Sequence, residues 1–296
     1  MNQFLKTIFR RKRTYLFLFF IIALQLISGC MQFRISDRKV KKEFKDQKYK
    51  PTFDYVEFEE RKIHYAKIGN DSLPTLFFIH GSPGDWSAFL DYFKDSTLLE
   101  RTNMVALDRT GYGKSDFGNH EKVLKEQARF YKGILDKFQD ATKQKPILIS
   151  HSYGGAVVLQ MAVDYPKLIS GVVILAGLSS SELTVDRWYN GAAKSVFVRW
   201  WLPAALTVSN KEMLHLQRDL KAIENDYNKI KVPVMVLHGQ KDKIVPYEHA
   251  IFLEKQLKNN PSFELTTLPK ANHFIPWTHQ DSVRTIILKM LDETKQ

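Results

Sequence analysis

The sequence is poor in cysteine, with Cys30 as the single example among 296 residues. A lone cysteine excludes an intramolecular disulfide and a cysteine-rich metal site, and the chain also lacks an HExxH zinc motif. Low-complexity tracts and internal repeats are absent too. With 44% hydrophobic and 26% charged residues, the composition excludes disordered and collagen-like classes. A chain of this length buries a sizeable core, as one large domain or two modest ones.

Acidic residues are missing from the first thirty positions, and this absence explains most of the net charge of +12. Residues 1–50 contain thirteen basic and three acidic side chains, whereas the remaining 246 residues contain 31 basic and 29 acidic ones. The positive charge therefore belongs to an N-terminal segment, and the body is nearly neutral. Nucleic-acid binding requires a basic patch, so we expect no nucleic-acid partner for the body.

The N-terminus has the layout of a secretory signal. A basic stretch, Met1–Arg13, precedes the apolar run Tyr15–Ile27, which is shorter than the ~20 residues of a membrane span. Ser28, Gly29 and Cys30 follow, and this ending resembles a bacterial lipobox. The resemblance implies a signal peptide over residues 1–29, a lipid on the Cys30 thiol, and a lipoprotein on the extracytoplasmic side of the bacterial cell envelope.

Two other interpretations of this segment stay open: an uncleaved anchor from about Tyr15 to Phe33, or a buried free thiol at Cys30. Residues 30–50 are rich in Lys, Arg and Asp and have no strong period. They predict a basic tether, which either acts as a solvated spacer or adds attraction to an anionic membrane surface.

The body alternates between apolar runs and helical patterns, which predicts an α/β protein with a mostly parallel sheet over residues 51–180 and 232–296. The predicted strands are Phe53–Glu59 and Lys62–Ile68 as a hairpin, then Thr75–His80, Met104–Asp108, Pro146–Ser150, Gly171–Ala176, Val232–His238 and Glu264–Leu268. The predicted helices are Trp86–Phe93, Glu121–Gln139, Ala156–Tyr165, Glu248–Leu257 and Ser282–Leu291.

Residues 181–231 interrupt this alternation, because they show helical patterns and no strand. Three of the five tryptophans lie there. We expect a helical cap over the carboxyl ends of the strands, where ligands bind in such sheets. Its aromatic side chains either line an apolar pocket or simply pack the cap onto the core; they are Trp188, Phe197, Trp200 and Trp201.

Ser152 stands in the local context that a nucleophilic serine needs. An apolar strand ends just before it and a helix begins just after it, as in the nucleophile elbow G-x-S-x-G. The tight turn requires small residues two positions before and after the serine, and here these are Ser150 and Gly154. Serine in place of the first glycine is the one departure from the motif.

Two further residues follow strands later in the chain. Asp242 comes after one buried strand and His273 after the last, so the order is serine, acid, histidine. With the elbow, this order resembles the α/β-hydrolases over residues 53–292. The resemblance implies an α/β-hydrolase fold, Ser152 as nucleophile, His273 as base and Asp242 as the residue that orients it. Asp186, inside the insertion, competes with Asp242.

The same resemblance gives roles to two loops. Ser82, after the first buried strand, and Tyr153, after the nucleophile, are expected to supply the backbone N–H groups of an oxyanion hole. The segment Asp108–Ser115 ends like a P-loop but lacks its first glycine, and it resembles a structural D-x-x-G-x-G-x-S loop instead. His151 is interpreted as packing or as a pocket wall.

The expected activity is therefore hydrolysis of a small-molecule carboxylic ester, with an apolar acyl group, through an acyl-enzyme and without a metal or cofactor. Peptidase, lactonase and carbon–carbon bond hydrolase activities on the same fold remain alternatives, because fold does not fix function. A membrane-tethered binding protein without catalysis is a further alternative from another class.

Overall fold

The computed structural model describes residues 34–142, 145–184 and 202–295. The described strands form one sheet of eight, in the order β1-β2-β4-β3-β5-β6-β7-β8. Strand β2 pairs antiparallel with both β1 and β4, and the other pairs are parallel. The strands are β1 (Thr52–Phe58), β2 (Arg61–Gly69), β3 (Thr75–Ile79), β4 (Asn103–Leu107), β5 (Ile147–His151), β6 (Gly171–Leu175), β7 (Val234–Gly239) and β8 (Phe263–Leu268).

Helices cover both faces of this sheet. The α-helices are α1 (Asp37–Glu43), α2 (Ser96–Leu99), α3 (Leu124–Thr142), α4 (Tyr153–Asp164), α5 (Ala204–Ile223), α6 (Glu248–Gln256), α7 (Ile275–Thr278) and α8 (Gln280–Glu293). Short 3₁₀ helices occupy Trp86–Phe89, Tyr92–Lys94, Pro166–Leu168 and Glu224–Lys229.

The apolar runs form strands because both faces of the central sheet are buried. Every residue of β3 to β7 is buried. Successive side chains of a strand point to opposite faces, so each strand contributes to two cores. In β3, for example, Phe77 and Ile79 pack with α3 and α4, whereas Leu76 and Phe78 pack with the 3₁₀ helices and α8.

The predicted mostly parallel α/β sheet is confirmed, but two local predictions are wrong. The segment Trp86–Phe93 forms two short 3₁₀ helices, Trp86–Phe89 and Tyr92–Lys94, in place of one helix. Asp85 caps the first of them by accepting the Ser87 N–H at 2.9 Å. This cap fixes a tight first turn, and all four aromatic residues of the segment pack into the core on that face of the sheet.

The second wrong prediction concerns the tether over residues 30–50. Within its described part, α1 lies against the body, where Val40 and Phe44 are fully buried. Ser36 caps this helix, Lys94 pairs with Glu43 at 2.7 Å, and Lys114 pairs with Asp37. Two apolar side chains one turn apart are enough to dock a helix whose other positions are charged.

The insertion is helical in its described part, since α5 and the 3₁₀ helix Glu224–Lys229 occupy most of residues 202–231. Predictions that involve Cys30, Asp186 and the four cap aromatics Trp188, Phe197, Trp200 and Trp201 lie outside the described residues. Across the residues that are described, no helix combines the length and the apolar character needed to cross a membrane.

Candidate active site

Ser152 occupies a sharp turn between β5 and α4. Its backbone has φ 56° and ψ −120°, in the left-handed half of the map that side chains other than glycine rarely enter. The Ser152 N–H donates to Leu175 O at 3.0 Å, and its carbonyl accepts from Gly155 and Leu178. These bonds hold the strained turn, which is the geometry that an elbow serine requires.

Small residues allow the chain to pass close to this turn. A Cβ added at Gly154 would lie 2.5 Å from Ile79 O, and one at Gly81 would lie 2.9 Å from the Cβ of Ser152. Ser150, which replaces the usual first glycine, is buried and donates its hydroxyl to Val173 O at 3.2 Å. The departure from the motif is therefore accommodated by a hydrogen bond to the neighbouring strand.

Ser152, His273 and Asp242 are joined by hydrogen bonds. Ser152 Oγ lies 3.0 Å from His273 Nε2, and His273 Nδ1 lies 2.7 Å from Asp242 Oδ2. The three residues follow β5, β8 and β7, and the carboxyl ends of these parallel strands meet at one edge of the sheet. The topology thus brings together residues that are up to 121 positions apart.

Asp242 is held in an environment that favours its carboxylate. Oδ1 accepts the N–H groups of Ile244 and Val245, both at 2.8 Å, while Oδ2 faces His273 and, at 3.5 Å, His238 Nε2. Burial raises the pKa of Asp242, but hydrogen bonds from His238 and His273 outweigh burial and hold this pKa well below its usual range. The carboxylate is therefore ionised and able to orient the imidazole of His273.

His151 packs beside the serine–histidine pair and does not face the acid. Its ring centroid lies 4.7 Å from that of His273, and its Nε2–H donates to His273 O at 3.0 Å. Burial, with the nearby charge of His273, lowers the pKa of His151 to about 3. A neutral His151 fixes the backbone of His273 through this hydrogen bond.

The two residues expected to form an oxyanion hole flank Ser152. Tyr153 opens α4, where unpaired N–H groups and the helix dipole favour a negative charge. Ser82 follows β3, in the loop that Gly81 brings against Ser152. The side chains point elsewhere: Ser82 Oγ donates to Glu212 Oε2 at 2.8 Å, and Tyr153 Oη accepts from Gln127 at 3.2 Å.

A cavity of about 520 Å³ opens directly onto the serine and histidine. Its walls come from the β3 loop, from α5 of the insertion and from the loops that carry Asp242 and His273. The lining residues outside the hydrogen-bonded chain are Gly81, Ser82, Pro83, Gly84, Asp85, Ser87, Ala88, His151, Leu206, Ile244, Phe274 and Trp277. Ile244, Phe274 and Trp277 are also 51%, 49% and 41% exposed, so the mouth of the cavity is apolar.

The Asp108–Ser115 loop is built as a structural element. Asp108 accepts the Trp86 and Lys114 N–H groups at 2.8 Å each and contacts His64 Nδ1 at 2.7 Å. A Cβ at Gly113 would overlap the carboxyl group of Asp108, and Gly113 has φ +50°. The loop therefore braces the sheet behind the cavity, and Asp108 does not line it.

Several residues in or beside this site are not predicted from the sequence. Phe274 and Trp277 follow His273 in an apolar stretch, which was a usable signal for a pocket wall. Glu212 was also detectable, since it stands on the buried stripe of α5 with Ala205, Val208 and Leu216. Within the described ranges, no group of three or more His, Cys, Asp or Glu side chains is arranged to hold a metal ion.

Comparison with known proteins agrees with the fold. The sequence profile of the alpha/beta hydrolase family matches residues 76–285. The chain is 24% identical over 274 residues to a 2-hydroxy-6-oxononadienedioate/2-hydroxy-6-oxononatrienedioate hydrolase of a Pseudomonas species, covering 77% of this chain and 91% of that one. It is also 24% identical over 275 residues to the dihydrolipoyllysine-residue acetyltransferase component of the acetoin cleaving system of Pseudomonas putida, covering 83% and 71% respectively.

Among solved structures, a bacterial membrane phospholipase A superposes with a TM-score of 0.64 at 17% sequence identity, over 96% of this chain and 99% of that chain. At this identity the likeness concerns the fold. The family match spans well over half of the sequence and contains Ser152, Asp242 and His273. The chain belongs to the alpha/beta hydrolase family.

Proposed function

We propose that the protein is a serine hydrolase that cleaves carboxylic esters through a Ser152–His273–Asp242 triad. The observation that carries this proposal is the hydrogen-bonded chain from Ser152 Oγ through the imidazole to Asp242, at the floor of an open apolar cavity. Serine at its ordinary pKa is a weak nucleophile and needs an adjacent base, which His273 supplies. The hydrolase relatives support the reaction class.

In the first half of the reaction, Ser152 Oγ attacks the ester carbonyl carbon while its proton passes to His273 Nε2. The carbonyl oxygen becomes an oxyanion, which accepts N–H groups from Ser82 and Tyr153. Asp242 stabilises the imidazolium across the 2.7 Å contact with Nδ1. When the carbon–oxygen bond of the leaving group breaks, His273 returns the proton to the departing alkoxide, and the acyl group remains on Ser152.

In the second half, water enters the site of the departed alcohol. His273 takes a proton from that water as its oxygen attacks the acyl-enzyme, and a second oxyanion occupies the same hole. Collapse of this intermediate releases the carboxylic acid, and His273 returns the proton to Ser152 Oγ. The neutral, buried His151 supports the position of His273 through both halves.

The substrate we propose carries an apolar acyl group. Ala88, Leu206, Phe274 and Trp277 line the cavity, so an alkyl or aryl group loses water on entering it. The similarity of fold to a membrane phospholipase A makes a long-chain ester a suitable first substrate to test. The relative that hydrolyses 2-hydroxy-6-oxononadienedioate favours carbon–carbon bond hydrolysis as the second candidate.

Labelling with a fluorophosphonate tests the nucleophile. The wild-type protein is expected to react, and Ser152→Ala is expected to lose both labelling and ester hydrolysis. Ser150→Ala is the matched control, because Ser150 is a buried serine two residues away whose hydroxyl bonds to a strand carbonyl. Labelling that persists in Ser152→Ala would disprove the assignment. A panel of esters of graded acyl length, amides, lactones and a vinylogous 1,5-diketone then separates the candidate reactions.

We also propose that Cys30 carries a lipid that holds the enzyme at a membrane of the cell envelope. Ile35 donates its N–H to Asp85, a cavity-lining residue, at 3.1 Å. Five residues span at most about 17 Å, so an anchor at Cys30 keeps the cavity near the lipid surface. Mass spectrometry of the membrane fraction should find an acylated N-terminal peptide that starts at Cys30. An unmodified peptide spanning Ser28–Phe33 as the main species would favour the uncleaved anchor.

A further inference from the structure

Glu212 is a buried carboxylate on the insertion, in the middle of α5. Its side chain is fully buried, and it lies on the stripe of that helix which also carries Val208 and Leu216. A charge on an apolar stripe is costly unless it is paired. Its partner is Arg109, which follows β4 in the core of the fold and is fully buried as well.

This ion pair contacts the loop that precedes the oxyanion position. Glu212 Oε2 accepts the hydroxyl groups of Ser82 and Tyr112, each at 2.8 Å. Arg109 Nη2 bonds to Glu212 Oε1, and Nη1 donates to Gly81 O at 3.1 Å. The carboxylate thus holds the Ser82 side chain directly, and through Arg109 it holds the carbonyl of the residue before it.

The same pair contacts the residue after the nucleophile. The guanidinium carbon of Arg109 lies 4.3 Å from the ring centroid of Tyr153, a cation–π distance. Gln127 Nε2 lies 3.2 Å from Tyr153 Oη and 3.3 Å from Glu212 Oε1, and Gln127 Oε1 accepts from Arg109 Nη2 at 3.0 Å. Ser82 and Tyr153 approach Ser152 from two different elements. The Ser82 side chain contacts Glu212 and the Tyr153 side chain contacts Arg109, so one ion pair joins them.

We propose that Glu212 is a positioning residue for the oxyanion hole, and that it makes the seating of the insertion a condition for catalysis. This inference rests on the proposed ester hydrolysis, and it adds a residue that touches neither the substrate nor Ser152. When α5 is seated, Glu212 fixes both loops so that the N–H groups of Ser82 and Tyr153 converge. When α5 shifts, the Ser82 hydroxyl and the Arg109 guanidinium lose their acceptor together.

A purely stabilising role accounts for the pair less well. Buried ion pairs are often neutral or unfavourable compared with apolar residues of similar size, because desolvation offsets the attraction between the charges. A carboxylate can accept several hydrogen bonds and so fix the direction of their donors, which an apolar side chain cannot do. Glu212 contacts Ser82, Tyr112, Gln127 and Arg109. Ser82 belongs to the proposed hole, and both Gln127 and Arg109 contact Tyr153, the other residue of that hole.

Glu224 provides the matched control. It is a buried carboxylate of the same insertion, and it accepts the N–H and the hydroxyl of Ser181 at 3.0 Å each and pairs with Lys221 at 2.9 Å. Both of its partners lie within the insertion and away from Ser82 and Tyr153. Glu224→Gln is therefore expected to lower the melting temperature and to leave kcat within about twofold.

The experiment compares Glu212→Gln, Ser82→Ala and Glu224→Gln for kcat and KM on a p-nitrophenyl ester, fluorophosphonate inactivation rate and melting temperature. The phosphonyl oxygen of the adduct occupies the oxyanion hole, so the inactivation rate reports on that hole. Glu212→Gln and Ser82→Ala are each expected to lower kcat and the inactivation rate about 10- to 100-fold, with KM within about twofold. The double variant is expected to lose no more activity than the less active of the two single variants, because both changes break the same contact between Ser82 and Glu212.

An unchanged kcat and inactivation rate in Glu212→Gln, with only a lower melting temperature, would overturn the inference and leave Glu212 a structural residue. If Glu212→Gln does not fold, Ser82→Ala decides alone, since it removes a single hydroxyl and keeps the backbone N–H of residue 82. A kcat within twofold of wild type overturns the inference, and a tenfold loss supports it. Failure of the wild-type protein to react with the fluorophosphonate would instead overturn the proposed hydrolysis, and with it the inference.

Discussion

Acidification from pH 7 to pH 5 is expected to destabilise the protein strongly, because the fold buries neutral histidines. His80 shows why. Its Nδ1–H donates to Gly81 O at 2.7 Å, and its Nε2 accepts the Arg109 N–H at 2.9 Å, so an added proton would displace a backbone hydrogen bond. Burial, reinforced by the charge of Arg109, lowers the pKa of His80 to about 3.

Two more histidines behave in the same way. Burial lowers the pKa of His151 to about 3, and burial together with the charge of His238 lowers that of His249 to about 4. His249 Nδ1 accepts the N–H groups of Ser179 and Ser180 at 3.1 Å, so this nitrogen has no room for a proton in the folded protein. All three rings are at most 5% exposed.

Stability falls on acidification when the unfolded state binds more protons than the folded state. The folded pKa of each histidine lies below the unfolded value near 6.5, so the unfolded chain takes up more protons between about pH 6.5 and pH 4. The stability that the neutral rings provide is complete above pH 6.5 and falls as the pH drops through this window. Each histidine contributes about 1.4 kcal/mol per pH unit well below pH 6.5 and less near or above that pH, so three together remove about 5 to 6 kcal/mol between pH 7 and pH 5. That amount is comparable to the whole stability of a typical domain.

Urea unfolding followed by fluorescence at pH 7, 6 and 5 measures this dependence. In His151→Asn, residue 151 titrates in neither the folded nor the unfolded state. The slope of the unfolding free energy against pH is therefore expected to fall by about one third of the contribution of the three histidines. A free energy of unfolding that stays within about 1 kcal/mol from pH 7 to pH 5 would refute the reasoning, because the buried rings would then accept protons without cost.

Three substitutions test other parts of the structure. Asp242→Asn keeps an acceptor for the Ile244 and Val245 amides but presents a donor to His273, so kcat is expected to fall about 10³- to 10⁴-fold; Asp186→Asn is the control, and a larger loss there would move the acid to Asp186. Phe44→Ala is expected to cost about 3 to 5 kcal/mol in urea unfolding, whereas Phe117→Ala, at a 37% exposed position, should cost under about 1 kcal/mol. Gly154→Ala places a Cβ 2.5 Å from a strand carbonyl and is expected to lower kcat for ester hydrolysis about 100-fold. Full activity of this variant would contradict the tight turn at Ser152.

The sheet and its order of site residues were predictable because burial on both faces leaves a plain signal. Runs such as Gly171–Leu175 are continuous and apolar, and a parallel strand between two layers of helices needs that composition. Ser152 was recognisable for a similar reason, since a tight strand–turn–helix demands small neighbours at fixed spacing. In both cases a local pattern of residues is sufficient, and no contact between distant segments has to be known.

The docking of α1 and the role of Glu212 depend on distant contacts, so the sequence predicts them poorly. Val40 and Phe44 lie among lysines, and the surface that receives them comes from residues fifty positions away. The partner of Glu212 is Arg109, which stands 103 positions earlier in the chain. The amphipathic stripe of α5 shows that position 212 is buried, but only the fold shows which cation neutralises it.

The site divides into a part fixed by the sheet and a part that depends on the insertion. The strained backbone of Ser152 is held by Leu175, Gly155 and Leu178, all of which belong to β6, α4 or the loop after β6. The side chains of Ser82 and Tyr153 are held through Arg109 and Glu212, and Glu212 belongs to the insertion. Changes in the insertion are therefore expected to alter kcat and the choice of acyl group while Ser152, the proposed nucleophile, keeps its backbone geometry. On the proposed mechanism, variation in such an insertion gives new substrates without a change in the turn that holds Ser152.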